Sequence, residues 1–173
     1  MQSGLLSKGS PKLSVPENCP IYFDEIQDIS KLIKGTYGDQ IDTIVYGVFT
    51  TPQNSIGGSA VCSYSLRDIS EIFNGQFKEQ RSSSDNWLPV EPHMVPSPRP
   101  GSCVNNSKVL SDANLDFIKT HPLMDEAVPP FFGTPVLTRT GNTGFTSIDV
   151  DAQVTTPDGS NFDVIFVGTS SRP

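Results

Sequence analysis

The amino-acid sequence predicts a mainly β chain carrying one helical and irregular insertion, and three observations support this. Runs of β-branched and aromatic residues, typified by Thr43 to Thr50 (TIVYGVFT), recur between clusters of turn residues. The 14 glycines and 15 prolines in 173 residues exceed the usual combined share of about 12%, as turn-rich β structure requires. Apolar residues at helical spacing are confined to two short segments in the middle of the chain. A chain of this length is one ordinary domain or a piece of one.

Taken in order, Ile21 to Ile29 (IYFDEIQDI) reads as an extended segment. It mixes β-formers with acidic residues and lacks the flanks of a capped helix. Thr43 to Thr50 reads as a buried strand bounded by Asp42 and Pro52. After the turn residues of Gln53 to Gly58, Ser59 to Tyr64 (SAVCSY) resumes as its antiparallel partner. Ser65-Leu66-Arg67-Asp68 has the form of a helix start, Leu66, Ile69, Ile72 and Phe73 fall on one helical face, and Asn74-Gly75 supplies the stop. From Glu79 to Val104 periodicity is lost in an irregular excursion rich in serine and proline. Ser111 opens a second helix, carrying Leu115, Phe117 and Ile118 and ending before His121-Pro122. The HPLMDEAVPPFF stretch that follows reads as a loop with apolar anchors. Pro135 to Thr138, Phe145 to Val150 and Phe162 to Val167 read as three more strands, the last two separated by the turn Thr156-Pro157-Asp158-Gly159.

Charge excludes several functions. Twelve Lys and Arg against 19 Asp and Glu give a net charge of −7, with no basic run to neutralise a phosphate backbone, so nucleic-acid binding is not predicted. No apolar run approaches the roughly 20 residues of a bilayer span, and the MQSGLLSKGSP start has no signal-peptide core. Cys19, Cys62 and Cys103 show neither CxxC nor Cys/His spacing, so neither metal binding nor a cofactor is predicted. Cys62, in an apolar strand, is by default a buried free thiol; in an oxidising compartment it is half of a disulfide. The acidic residues Asp24, Glu25 and Asp28 alternate with apolar neighbours as a half-exposed strand requires, and Asp149 and Asp151 bracket Val150 in the same way. Neither group has the spacing of a calcium loop.

The histidines, His93 and His121, both stand beside prolines in irregular segments, and no catalytic motif surrounds them. They read as solvated or capping loop residues. The catalytic alternative is a small hydrolase using His121 with a serine and an aspartate assembled in space. Asn105-Asn106-Ser107 is an N-glycosylation sequon, usable where the asparagine is loop-exposed in a secreted chain.

The segments VYGVFTTPQNSIGGSAVCSYSLRDISEIFNGQFKEQ (Val45 to Gln80), WLPV, VPSPRPGSCV, IKTHPLMDEAVP and FDVIFVGT, in that order and spacing, resemble the sema domain of semaphorins, most closely the invertebrate membrane-anchored type. The resemblance runs from about Leu13 onward and implies residues 13–173 as a partial sema domain after a non-homologous start at 1–12. It implies a seven-bladed β-propeller of about 500 residues, each blade a four-stranded sheet, of which this chain would supply about two blades. Ile21 to Tyr64 would correspond to strands of the fifth blade, Ser65 to about Phe132 to the family's helical extrusion, and Phe145 to Gly168 to the opening of the sixth. An incomplete arc leaves sheet edges uncovered, and the expectation is a marginal or aggregation-prone product when expressed alone.

The resemblance also implies function. The family's members are extracellular guidance ligands, secreted or anchored, that bind plexin receptors and dimerise through the propeller to direct axon growth and cell migration; they are not enzymes. Their main receptor surface lies in earlier blades, while the extrusion shapes the dimer. Phe73, Phe77 and Trp87 are candidate interface anchors, with packing of the extrusion onto its own blade as the alternative. In the family, the cysteine matching Cys62 bonds one near the position of Leu13, and that matching Cys103 bonds one further upstream, which would orphan Cys103. Cys19 is a candidate substitute partner for Cys62, closing a loop of about 40 residues worth about 3 to 4 kcal/mol. A receptor-side sema domain, as in plexins, is the other reading; the GSAVCSYSL and VPSPRPGSC motifs favour the ligand.

Overall fold

The computed structural model describes the backbone of residues 12–13 and 21–171. The described residues divide into two compact units, Glu71–Ala127 and residues 21–70 with 128–171.

The larger unit is built on β sheets. A short pair, β1 (Lys12–Leu13) with β2 (Ile21–Tyr22), precedes β3 (Glu25–Ile29), β4 (Ile33–Tyr37), β5 (Gln40–Thr50) and β6 (Gly58–Ser65). β5 is long enough to pair antiparallel with β4 along its first half, Ile33 opposite Ile44, and with β3 along its second, Ile29 opposite Gly47. β3 and β4 thus act as one broken edge strand. On the other side β5 pairs with β6, Val48 opposite Val61, and β6 pairs with β10 (Leu137–Thr140), giving a meander four strands wide.

The strands predicted at Thr43 to Thr50 and Ser59 to Tyr64 are continuous apolar runs because both faces of this sheet are covered. Ile44, Tyr46, Val48 and Val61 share one face with Ile33 and meet Phe145 and Ile148 of β11 (Thr143–Thr155). The intervening Phe49, Ala60, Cys62 and Tyr64 face the other way, into a second cluster with Phe23, Ile26, Ile69 and Val128. β11 pairs antiparallel with β12 (Asn161–Ser171) in a separate two-stranded sheet, joined through the predicted turn, where Gly159 takes φ +84° and its N–H donates to the Thr156 carbonyl at 2.9 Å.

Two sequence expectations change here. The segment Ile21 to Ile29 is broken, residues 23–24 lying outside the strands, and a bulge between Ile26 and Asp28 offsets its alternation. Ile26 therefore packs into the second cluster, Asp28 Oδ2 accepts the Ile148 N–H at 3.0 Å, and Ile29 is left exposed. The sequence reading also missed β4, whose signal was the pattern Ile33, Thr36 and Tyr37 before Gly38-Asp39. Gly38 takes φ +62° in the two-residue turn to β5.

The helix predicted after β6 is present as α1 (Leu66–Asn74). Ser65 caps it: its hydroxyl accepts the N–H groups of Arg67 at 3.1 Å and Asp68 at 3.5 Å, and donates to the buried Asp42 carboxylate. The predicted stop holds, the Gly75 N–H donating to the Ile72 carbonyl at 2.9 Å.

The second unit contains a three-stranded sheet in the order β8 (Leu88–Pro89), β7 (Phe77–Glu79), β9 (Leu123–Met124), with α2 (Asp112–Thr120) following Ser111 as predicted. The excursion is thus more regular than its sequence suggested. Strands of two or three residues carry no periodicity to read, and they exist because Phe77, Val90, Phe117 and Met124 converge on one small core.

Candidate functional site

The chemistry of each unit sits on its side chains' partners. In the insert, Phe77 is buried, with its ring edge-on to Phe117 at 5.1 Å and the Arg99 guanidinium over it at 4.5 Å. That guanidinium also donates to the carbonyls of Phe73, at 3.2 Å, and Gly75, satisfying groups that the end of α1 leaves free. Phe77 therefore presents no surface to a partner. Phe73 is partly exposed and Trp87 is half-buried.

His121 closes α2. Its ring stacks on Phe117 at 4.0 Å, Nδ1 lies 2.9 Å from the Phe117 carbonyl and 2.9 Å from Thr120 Oγ1, and Nε2 lies 3.3 Å from Glu79 Oε2. These are the partners of a helix-capping residue, with no serine and aspartate among them. Glu79 itself is held below the usual carboxylate range, first by a hydrogen bond from Arg81 and then by His121. His93 lies in the 3₁₀ turn Pro92–Met94 and is exposed. Among the described residues no group of three or more His, Cys, Asp or Glu is placed to hold a metal ion, and no helix is long and apolar enough to cross a membrane.

In the sheet unit one carboxylate ties four strands together. Asp163 of β12 accepts from Tyr37 Oη of β4 at 2.7 Å, Tyr46 Oη of β5 at 2.9 Å, and the N–H and side-chain amide of Gln153 of β11 at 2.9 and 3.0 Å. Burial alone would raise the Asp163 pKa, but these four donors outweigh it and hold the carboxyl below its ordinary value. The same burial, with the carboxylate opposite, pushes both tyrosines well above theirs, so they stay neutral donors. Gln153 takes φ +53° at the bulge between Asp151 and Val154, and its Oε1 accepts the Thr36 N–H at 3.1 Å. A Cβ at position 35 would stand 2.6 Å from the Gln153 amide, so any larger residue there would push that side chain out of its hydrogen bonds. The sequence reading missed this cluster, because its members are 126 positions apart at the extreme and no local spacing joins them.

Cys62 is a buried free thiol and Cys103 an exposed one. Burial pushes Cys62 up to about 11, against a hydrogen bond with Tyr64, so it is an inert core residue at neutral pH. Cys19 lies outside the described residues, as does nearly all of the start at 1–12. Asn105 is exposed in a bend.

Several large apolar side chains are exposed. On β12, Phe162, Val164 and Phe166 alternate outward in one row while Ile165 and Val167 turn into the core. On the insert, Leu88, Met94, Val109 and Leu115 are exposed. Such surface suits recognition by shape and apolar contact.

Comparison with known proteins identifies the family. The Sema domain model matches residues 26–171. The chain is 57% identical to Semaphorin-1A of Drosophila melanogaster over 157 residues, covering 90% of this chain and 18% of the relative, and 55% identical to Semaphorin-1A of Schistocerca americana, covering 90% and 22%. Among solved structures it is similar to Drosophila Semaphorin 1a, extracellular domains 1-2, with TM-score 0.73, 56% identity and coverage of 91% of this chain and 32% of that one. It is similar too to a structure of Drosophila Plexin A in complex with Semaphorin 1b, with TM-score 0.75, 46% identity and coverage of 91% and 30%. The chain spans about a fifth of the length of its curated relatives. A mainly β meander with a helical insert, matched to the Sema domain over 26–171, places this chain in the semaphorin family.

Proposed function

We propose that this chain is a segment of an extracellular semaphorin guidance ligand, secreted or anchored to the plasma membrane, whose parent binds a plexin receptor to direct axon guidance and cell migration. Its role is recognition and not catalysis: His121, which the hydrolase reading set with a serine and an aspartate, is engaged by Glu79, Thr120 and the Phe117 carbonyl. Within the parent, about residues 65–132 form the extrusion that shapes a homodimer, with the compact unit Glu71–Ala127 inside those bounds, and the flanking segments supply propeller sheet. Phe73 and Trp87 are the aromatic residues of the insert left for that interface.

The observation that carries this reading is the match at 46% identity to a structure of Plexin A in complex with Semaphorin 1b. The relatives are named semaphorins, which favours the ligand side over the receptor side. The test replaces the aligned segment of the Drosophila Semaphorin 1b extracellular domains with the matching residues of this chain. The secreted chimera should bind cells displaying the Plexin A ectodomain in a saturable way, close to the parent ectodomain. A chimera that is secreted at normal levels but does not bind those cells would sink the proposal.

A further inference from the structure

The loop 101–109 is built as a presentation arm. Its base is pinned from both sides: Arg99 is clamped by Phe77 and the carbonyls of Phe73 and Gly75, and the Asn114 amide donates to the Pro98 carbonyl at 2.5 Å. Asn114 is buried and is itself fixed by the Ser111 hydroxyl at 2.8 Å. The Ser102 hydroxyl returns to the Arg99 carbonyl at 2.6 Å. Beyond that base nearly every residue is exposed.

The two adjacent asparagines in this arm differ. Asn106 Oδ1 accepts the Lys108 N–H at 3.0 Å and caps the 3₁₀ turn Ser107–Val109, with its backbone extended at φ −140°, ψ 115°. The side chain of Asn105 has no hydrogen-bond partner among the described residues, and both it and Ser107 are exposed. In Asn105-Asn106-Ser107, therefore, the local structure occupies the middle residue, whose side chain an N-glycosylating enzyme does not read. It leaves the acceptor amide and the hydroxyl two residues on for that enzyme. This is the only N-x-S/T triplet in the sequence.

We infer that Asn105 is an N-glycan attachment site, an inference that rests on the extracellular reading above. The donor is a lipid-pyrophosphate-linked oligosaccharide. Asn105 Nδ2 forms a bond to the anomeric carbon, the bond from that carbon to the pyrophosphate oxygen breaks, the lipid pyrophosphate leaves, and the amide gives up one proton; nothing is oxidised or reduced. Because the base of the arm is held by Arg99 and Asn114 and the arm is exposed, the folded chain accommodates a bulky glycan without breaking a contact.

The test translates the full chain, behind a heterologous signal peptide, into endoplasmic-reticulum microsomes and examines the protease-protected product. The wild-type chain should show one mobility shift that endoglycosidase H removes. Asn105→Gln and Ser107→Ala should each lose it, and Ser107→Thr should keep it. A protected wild-type chain and Ser107→Thr variant that both lack the shift overturn the inference, as does a shift that survives Asn105→Gln. Microsomal glycosylation is read without any receptor, so failure here is separable from failure of the plexin chimera.

Discussion

At the centre of the sheet unit, Val48, Phe49 and Val61 are at most 1% exposed, whereas the four residues that make the core of the insert, Phe77, Val90, Phe117 and Met124, keep 4% to 8%. The sheet unit reaches full burial because a long strand, β5, has partners along both edges and cover on both faces. The insert has strands of two or three residues and leans on single side chains that reach backbone carbonyls: Arg99 to Phe73 and Gly75, Asn114 to Pro98, and His121 to Phe117. Hydrophobic burial scales with area, and a small unit must make up the remainder with specific hydrogen bonds. One unit is therefore sensitive to volume, the other to polar geometry.

The largest effect should come from breaking the sheet core. Phe49→Ala leaves a cavity opposite Tyr64, whose ring lies 6.0 Å away, and should cost about 3 to 5 kcal/mol in denaturant unfolding, lowering protection against hydrogen exchange throughout β5 and β6. If the loss stays below about 1 kcal/mol, the contrast between the units is wrong.

Asn114→Ala should cost about 1 to 3 kcal/mol, because the Pro98 carbonyl loses its buried donor and the Ser111 hydroxyl its acceptor. Its signature is positional: exchange should quicken between residues 96 and 121 and stay unchanged in β5 and β6. Equal loosening of both regions would show that the insert has no independent stability.

Asp163→Asn should cost about 1 to 2 kcal/mol through weakened tyrosine hydrogen bonds, and it should also change the response to acid. A carboxyl held below its unfolded value binds fewer protons when folded. Its contribution is therefore complete above the unfolded pKa of about 3.9 and is lost as pH falls through the lower folded value. Stability measured between pH 5 and 2 should fall less steeply in the variant than in the wild type; parallel curves would remove Asp163 from the acid response.

The smallest effect expected is that of Ser65→Ala, about 1 kcal/mol, from losing the cap on α1. Circular dichroism of the variant should show slight loss of helix with the sheet signal intact.

Local signals in the sequence were sufficient for the long elements. The TIVYGVFT run, the S-x-x-D cap at Ser65, the Thr156 to Gly159 turn and the Ser111 helix start each act through neighbours within four residues, and each stands where its chemistry requires. The glycosylation triplet was legible in the same way, though which of its asparagines is engaged was not. The small sheet of the insert escaped notice because Phe77 and Met124, paired across β7 and β9, are each unremarkable within their own windows.

By itself the sequence determined the β character, the helical insertion and the absence of any basic or membrane-spanning run, since composition and short-range periodicity carry that information. Tertiary structure decided the rest. Asp163 became a clamp only when β4, β5, β11 and β12 met around it, Asp28 turned inward only because a bulge reversed its face, and the His121 ring gained Glu79 as a partner only when β7 came beside it. A side chain's role follows from its partners, and partners distant along the chain are chosen by packing and not by spacing.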